Sequence, residues 1–285
     1  MSSPVVRTVG VVGSGIMGAG IAEVLASAGH RVIVRARGAS SANDVCDRVA
    51  KSLGRRVERG KLESPERDTI IARLAATTEL DDLAPCDIVI ESIVEDMPTK
   101  RELFARLDQV LRPDAILASN TSTLPISELA LCTSRPSRVC GIHFFNPATT
   151  MSLVEVIRPE VASEETISEV TALVASCGKD AVLVRDDAGF IVNALLFPYL
   201  NNAIKMFERG TASMKDIDTA MKGGCNFPMG PFSLLDLVGL DTSLAIIRTL
   251  HEASGNPSDA PAQSLVRLVG EGHLGRKTGQ GFFTY

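Results

Sequence analysis

Residues 9–22, VGVVGSGIMGAGIA, constrain this chain more than any other stretch. A β-branched run enters a turn with glycines at 13, 15 and 18, and an alanine-rich apolar helix pattern leaves it. Strand, glycine turn and helix in that order are what a dinucleotide pyrophosphate requires. Gly13 suits a tight turn, Gly15 a close approach of backbone N–H groups to phosphate, and Gly18 a close packing of helix on strand. The phosphates would meet the positive end of the helix, with Ser14, Ile16 and Met17 completing the grip. The flanking elements favour this reading over a structural glycine turn.

The helix runs to about Ala28 and stops at Gly29, and Arg31–Arg35 reads as a second strand. A dinucleotide unit that holds an unphosphorylated ribose expects an acidic residue at the end of that strand. Here Arg35-Ala36-Arg37-Gly38 stands in its place, and no carboxylate occurs before Asp44. Arginines there pair with a 2′-phosphate, so Arg35 or Arg37 is a candidate phosphate ligand and NADP(H) an acceptable cofactor. Two solvated surface arginines are the competing reading.

Residues 42–76 read as helical, two helices parted near Gly60 and Pro65, with positive charge at Lys51, Arg55, Arg56, Arg59 and Lys61. That pair is either an ordinary solvated face or a dock for a second phosphate-rich group. Further on, 86–91, 115–119 and 138–143 are short apolar runs of the kind a buried parallel strand requires, with a helix at about 98–111 between the first two. Ligands gather at the carboxyl ends of such strands. This puts Glu91, the cluster Ser119-Asn120-Thr121-Ser122-Thr123 and His143 at the functional edge, with Glu91 and Asn120 as candidate cofactor contacts, although serine and threonine are also ordinary turn residues. Leu153–Ile157 sets Glu155 among apolar residues, and a strand pairing across the intervening loop would bring Glu155 beside His143. A carboxylate that fixes an imidazole is what general-base chemistry requires; a hydrogen-bonded core histidine with a surface glutamate fits the same spacing.

A helix near 163–177 and a strand near 181–184 close a first domain of residues 1–187. From residue 188 to 285 the alternation of strand and helix ends, and the pattern is helical: roughly 190–208, 213–222, 231–238, 241–254 and 261–271. The fold class is therefore α/β, a Rossmann-type doubly wound sheet with an all-α C-terminal domain whose apolar faces suit either its own core or a homodimer. A net charge of −5, spread along the chain, argues against nucleic acid as a partner. No apolar run is long enough to span a bilayer, and the N-terminus lacks a signal-peptide core. The six cysteines have no metal-type spacing and read as reduced thiols of a cytoplasmic protein, with no metal expected.

Seven motifs, in order along nearly the whole chain, resemble the 3-hydroxyacyl-CoA dehydrogenase family. They are the glycine turn extended through Gly18-Ala19-Gly20-Ile21-Ala22, Ser119-Asn120-Thr121-Ser122, His143-Phe144-Phe145-Asn146-Pro147, Leu153-Val154-Glu155-Val156, Gly189-Phe190-Ile191-Val192-Asn193, Pro228-Met229-Gly230-Pro231 and Lys277-Thr278-Gly279-Gln280-Gly281-Phe282-Phe283. Within the family the likeness is closest to bacterial single-function 3-hydroxybutyryl-CoA dehydrogenases. The resemblance implies hydride transfer between C3 of a short-chain 3-hydroxyacyl-CoA and NAD or NADP, in fatty-acid metabolism. It implies His143 as catalytic base, Glu155 as its partner, and Ser122 and Asn193 as hydrogen-bonding residues around the substrate oxygens. Asn120 falls at nicotinamide or substrate, and Lys51, Arg55, Arg56 or Lys61 where the family receives the phosphates of coenzyme A.

Two departures stand out: the missing acid at Ala36, and Ala148-Thr149-Thr150-Met151-Ser152 where a Val-Pro-Val-rich segment is expected. The polar threonines suit a more polar acyl group. The alternatives are the same chemistry on a hydroxyacyl group held by an acyl carrier protein in polyketide extender-unit synthesis, and a non-catalytic cofactor-binding protein. The set Ser122, His143, Glu155 and Asn193 argues against the latter.

Overall fold

Short β-branched runs separated by helices can be buried on both faces only in a parallel sheet, and that is the arrangement they adopt. The computed structural model describes residues 6–285. In it β1 (Thr8–Val12) passes through the glycine turn into α1 (Ile16–Ser27) and back to β2 (Arg31–Arg35). Next come α2 (Ala39–Glu58), α3 (Ser64–Ile71), β3 (Leu74–Thr77), β4 (Ile88–Glu91), α4 (Met97–Val110) and β5 (Ile116–Ser119). They are followed by α5 (Ile126–Ala130), β6 (Val139–Phe144), β7 (Leu153–Arg158), α6 (Glu164–Ser176) and β8 (Asp180–Arg185).

The eight strands form one sheet in the order β3-β2-β1-β4-β5-β6-β7-β8. Strands β1 to β6 are parallel, β7 turns antiparallel to β6, and β8 is parallel to β7. The strand order reverses between β1 and β4, so a crevice for ligand opens beyond their carboxyl ends. β4, β5 and β6 are buried along their whole length. On one face of the sheet Ile88, Ile90, Ile116, Ala118, Cys140 and Ile142 join Val9, Val11, Ile21, Leu25 and Val156 in one core.

Two local expectations needed correction. The helical reading of 42–76 yields α2 and α3, but its last residues open β3, which pairs with β2 in the register Val32↔Leu74 to Arg35↔Thr77. Edge pairing with an existing strand outweighs a weak helical pattern there. The short helix α5 was not anticipated. Its first N–H groups are satisfied from far along the chain, Ile126 and Ser127 donating to the Asp186 carboxylate at 2.9 and 2.7 Å.

The chain divides into two compact units between Asp187 and Ala188. The second contains α7 (Val192–Glu208), α8 (Met214–Cys225), α9 (Pro231–Val238), α10 (Leu240–Ser254) and α11 (Gln263–Gly270) around a core of its own that includes Phe197, Leu200, Phe232, Leu244, Leu265 and Phe282. The buried Asp236 carboxylate accepts from the Phe282 and Phe283 N–H groups at 2.9 Å each, which fixes the C-terminal segment to α9. No helix among the described residues is long and apolar enough to cross a membrane.

Candidate active site

The three glycines of the first turn do different work. Gly13 has φ +126°, and a Cβ there would lie 2.2 Å from the Ser92 carbonyl oxygen. A Cβ on Gly18 would lie 2.0 Å from the Gly13 oxygen, so α1 closes on the turn only because Gly18 has no side chain. A Cβ on Gly15 would meet nothing within 4 Å. Gly15 is also the N-cap of α1, and no side chain caps that end. An uncapped twelve-residue helix with open space beside its N-cap residue suits an anion, and a dinucleotide pyrophosphate fits that description.

At the far side of the crevice the antiparallel register places His143 directly opposite Glu155. Side chains so paired stand on one face of the sheet. The His143 Nδ1 lies 2.8 Å from Glu155 Oε2, and the two side chains are only 6% and 1% exposed. A carboxylate accepts only, so the contact assigns the proton to Nδ1 and makes Nε2 the basic nitrogen. The Phe145 ring packs on the imidazole at a centroid distance of 4.5 Å. Asn120 joins the two neighbouring strand ends, its Oδ1 accepting from the Phe144 N–H at 2.8 Å.

The loop 119–123 is held by groups that the sequence did not bring forward. Glu91, read from sequence as a cofactor contact, has no exposed surface. Its carboxylate takes the Lys100 ammonium at 2.6 Å, the Ile93 N–H at 2.7 Å and the Ser119 hydroxyl at 2.6 Å. Lys100, 1% exposed, reaches on to Glu95 at 3.3 Å. Glu95 in turn accepts from the Thr121 hydroxyl at 2.6 Å and from the N–H groups of Ser122 and Thr123 at 2.8 and 3.3 Å. One buried cation thus braces both ends of the loop that carries Asn120 and Ser122. The missed signal was Lys100 itself, which sits with Leu103, Phe104 and Leu107 on the buried stripe of α4.

Around the glycine turn, the Gly13 N–H donates to the Arg35 carbonyl at 3.0 Å, which keeps the end of β2 beside it. Arg35 is half-buried and its Nε donates to the Thr78 carbonyl at 3.1 Å, so much of its guanidinium is committed to structure. Burial and the neighbouring charges of Arg106 and Arg37 also hold the pKa of Arg35 below the usual guanidinium value. Ala36 is buried and Arg37 exposed. Arg48 of α2, not singled out in the sequence, extends over the turn, with Nη1 3.4 Å from the Ser14 carbonyl. Lys51, Arg55 and Lys61 are exposed, whereas Arg56 turns inward to Glu23 at 3.7 Å. Asn193 lies in the first turn of α7, buried within the second unit.

A glycine turn built for a dinucleotide, with an imidazole–carboxylate pair on the same sheet edge, defines an oxidoreductase of the Rossmann class. Comparison with known proteins narrows this. Residues 8–187 match the model of the 3-hydroxyacyl-CoA dehydrogenase NAD binding domain, and residues 189–285 that of the 3-hydroxyacyl-CoA dehydrogenase C-terminal domain. A 3-hydroxybutyryl-CoA dehydrogenase of Mycobacterium tuberculosis is 45% identical over 285 residues, covering 99% of this chain and 100% of the relative. A crystal structure of M. tuberculosis FadB2 superimposes with a TM-score of 0.95 at 45% identity, covering 98% of this chain and 99% of that one. The (S)-3-hydroxybutyryl-CoA dehydrogenase PaaH1 from Ralstonia eutropha does so with 0.96 at 40% identity, covering 99% of both chains. The chain belongs to the 3-hydroxyacyl-CoA dehydrogenase family.

Proposed function

We propose that this protein transfers a hydride between C3 of a short-chain 3-hydroxyacyl-CoA, of the 3-hydroxybutyryl or acetoacetyl type, and a nicotinamide dinucleotide. The observation that carries the reading is the His143 Nδ1–Glu155 Oε2 contact of 2.8 Å at the carboxyl edge of a dinucleotide-binding sheet. The nicotinamide ring, when bound, supplies the hydride acceptor or donor. For oxidation, His143 Nε2 removes the proton of the 3-hydroxyl, and Glu155 stabilises the imidazolium that forms. For reduction the same imidazolium returns the proton. Ser122 and Asn193 hydrogen-bond the substrate oxygens, and Asn120 serves the substrate or nicotinamide.

Lys51, Arg55 and Lys61 receive the phosphates of coenzyme A, their exposure on and just beyond α2 supporting the assignment. The acyl-carrier-protein alternative is not favoured, since the full-length relatives are named for CoA thioesters. On the cofactor we propose that NADP(H) is accepted beside NAD(H). Exposed Arg37 is the main 2′-phosphate ligand, with Arg48 near the same turn and Arg35 in a lesser part. The second unit forms a homodimer through apolar side chains it leaves exposed, among them Leu195 on α7 and Leu237 on α9. The free cysteines, three with thiols that burial raises to about 11 or 12, suit the reducing cytoplasm.

Purified protein mixed with acetoacetyl-CoA should consume NADH, followed by its absorbance. No turnover with either reduced cofactor would remove the reading. An NADPH activity that survives Arg37→Ala unchanged would remove the phosphate assignment alone.

A further inference from the structure

The strand that carries the acid–base histidine and the strand that carries its partner are joined by residues 145–152. Hairpin connections usually take about 2–5 residues, so this one is long enough to wander unless something holds it. Inside it the N–H groups of Thr150 and Met151 both donate to the Pro147 carbonyl at 3.0 Å, forming one helix-like turn. The free end of such a turn presents carbonyl oxygens, and a cation satisfies them best.

Lys179, in the bend between α6 and β8, supplies that cation: its Nζ lies 2.7 Å from the Ala148 oxygen and 2.6 Å from the Met151 oxygen. The next residue continues the attachment, Asp180 N–H donating to the Ser152 oxygen at 2.8 Å. On the opposite side Ala148 is buried against the cofactor helix at Gly20, where a Cβ would come within 3.1 Å of the Ala148 Cβ. Beyond Ala148, Thr149, Thr150, Met151 and Ser152 stay exposed, as do Asn146 and Pro147 before it, on a loop whose first residue, Phe145, packs on the His143 ring.

We infer that Lys179 is a positioning residue for acyl selection, its ammonium fixing the loop 147–151 as a wall next to the catalytic histidine. The inference rests on the proposed reading of His143 as the base acting at C3. A lysine that only held the hairpin together would, when removed, lower activity on every acyl chain by one factor. A lysine that sets a wall changes the ratio between chain lengths, because that ratio depends on where Thr149, Thr150 and Met151 stand.

The test compares kcat and KM for acetoacetyl-CoA and 3-oxohexanoyl-CoA with NADH in the wild type, Lys179→Met and Lys179→Arg. The Met variant keeps the aliphatic stem and loses the donors. Its kcat/KM ratio for the two substrates is expected to move by about fivefold or more, a part of the roughly 10–200-fold that small apolar differences are worth in a fully formed pocket. The change is expected mainly in KM, and Lys179→Arg, which keeps a cation with several N–H donors, is expected to restore most of it. Gly20→Ala presses the same loop from its other side and is expected to alter the ratio too, which keeps the test open should the Met variant fold poorly. A wild type active on acetoacetyl-CoA whose ratio is the same in all folded variants overturns the inference and leaves the reading intact. A wild type inactive on both thioesters overturns the reading and the inference with it.

Discussion

Lys100 is a buried lysine, and its removal has a size that can be worked from its contacts. Lys100→Met keeps most of the buried stem but deletes a charge 2.6 Å from Glu91, whose side chain is 1% exposed. Breaking a buried ion pair from one side costs about 3–5 kcal/mol, chiefly because the other charge stays behind. Glu91 retains two donors, the Ile93 N–H and the Ser119 hydroxyl, so the lower end, about 3 kcal/mol, applies. At about 2–4 °C per kcal/mol for a unit of this length, Tm should fall by about 6–12 °C. The double variant Glu91→Gln/Lys100→Met removes both charges and should recover stability to within about 1 kcal/mol, or Tm to within about 2–4 °C, since a buried pair contributes little over neutral groups of like volume. Activity should not recover in step. Glu95, which holds the Ser122 N–H at 2.8 Å, has still lost its cation, and a displacement of about 1 Å at a reacting site costs about 10²-fold. Differential scanning calorimetry with steady-state kinetics on the three proteins checks this. A Lys100→Met protein with wild-type Tm, or a double variant that regains stability and full kcat together, would refute the brace.

Further outcomes follow from the same contacts. His143→Ala should retain its fold and lose at least about 10²-fold in turnover, and Glu155→Gln should lose less, as stopped-flow absorbance of the reduced cofactor will report. His30 is buried with Nδ1 accepting the Arg7 N–H at 3.3 Å and Nε2 within 2.9 Å of the Ser176 hydroxyl, a pattern that requires the neutral ring. Burial, then the charges of Arg7 and Arg73, hold its pKa below 6.5. The unfolded chain therefore binds the proton first, and the stability it contributes, complete above pH 6.5, is lost as the pH falls from there through the lower folded value. Melting curves from pH 8 to 5 should show that slope, and His30→Asn should flatten it. Burial pushes the thiols of Cys86 and Cys140 up to about 12 and that of Cys177 to about 11. Iodoacetamide at pH 8 should therefore reach the exposed Cys225 well before these three, as mass spectrometry of the native protein will show.

Much of the site was legible because its logic is local. The glycine turn lies within one strand–turn–helix unit, and the apolar run Leu153–Ile157 is close enough in sequence to 138–143 for a pairing across the loop to bring Glu155 beside His143. What required the structure depends on distant parts of the chain. β3 is a strand because β2 lies beside it, and its four residues carry too little pattern to say so. Glu91 reads as a polar residue at a strand end, yet Lys100, nine positions later, turns it into a buried post. Arg48 gave no cue, being one charge on an amphipathic helix. Lys179 gave none either, since its partners are backbone oxygens about thirty residues away and leave no trace in side-chain identity.

The spacing of contacts around the three glycines has a consequence for how such a protein can be disabled. At positions 13 and 18 a methyl group would collide with main-chain atoms, so any replacement there is felt as misfolding whether or not a ligand is ever met. Position 15 has ordinary backbone angles and empty space in front of it. Gly15→Ala should therefore melt like the parent and bind dinucleotide poorly, measured by calorimetric titration with NADH. The motif separates into two positions that answer to the chain and one that answers to the visitor. That single position offers a silenced yet intact molecule, useful wherever the presence of the protein must be distinguished from its chemistry.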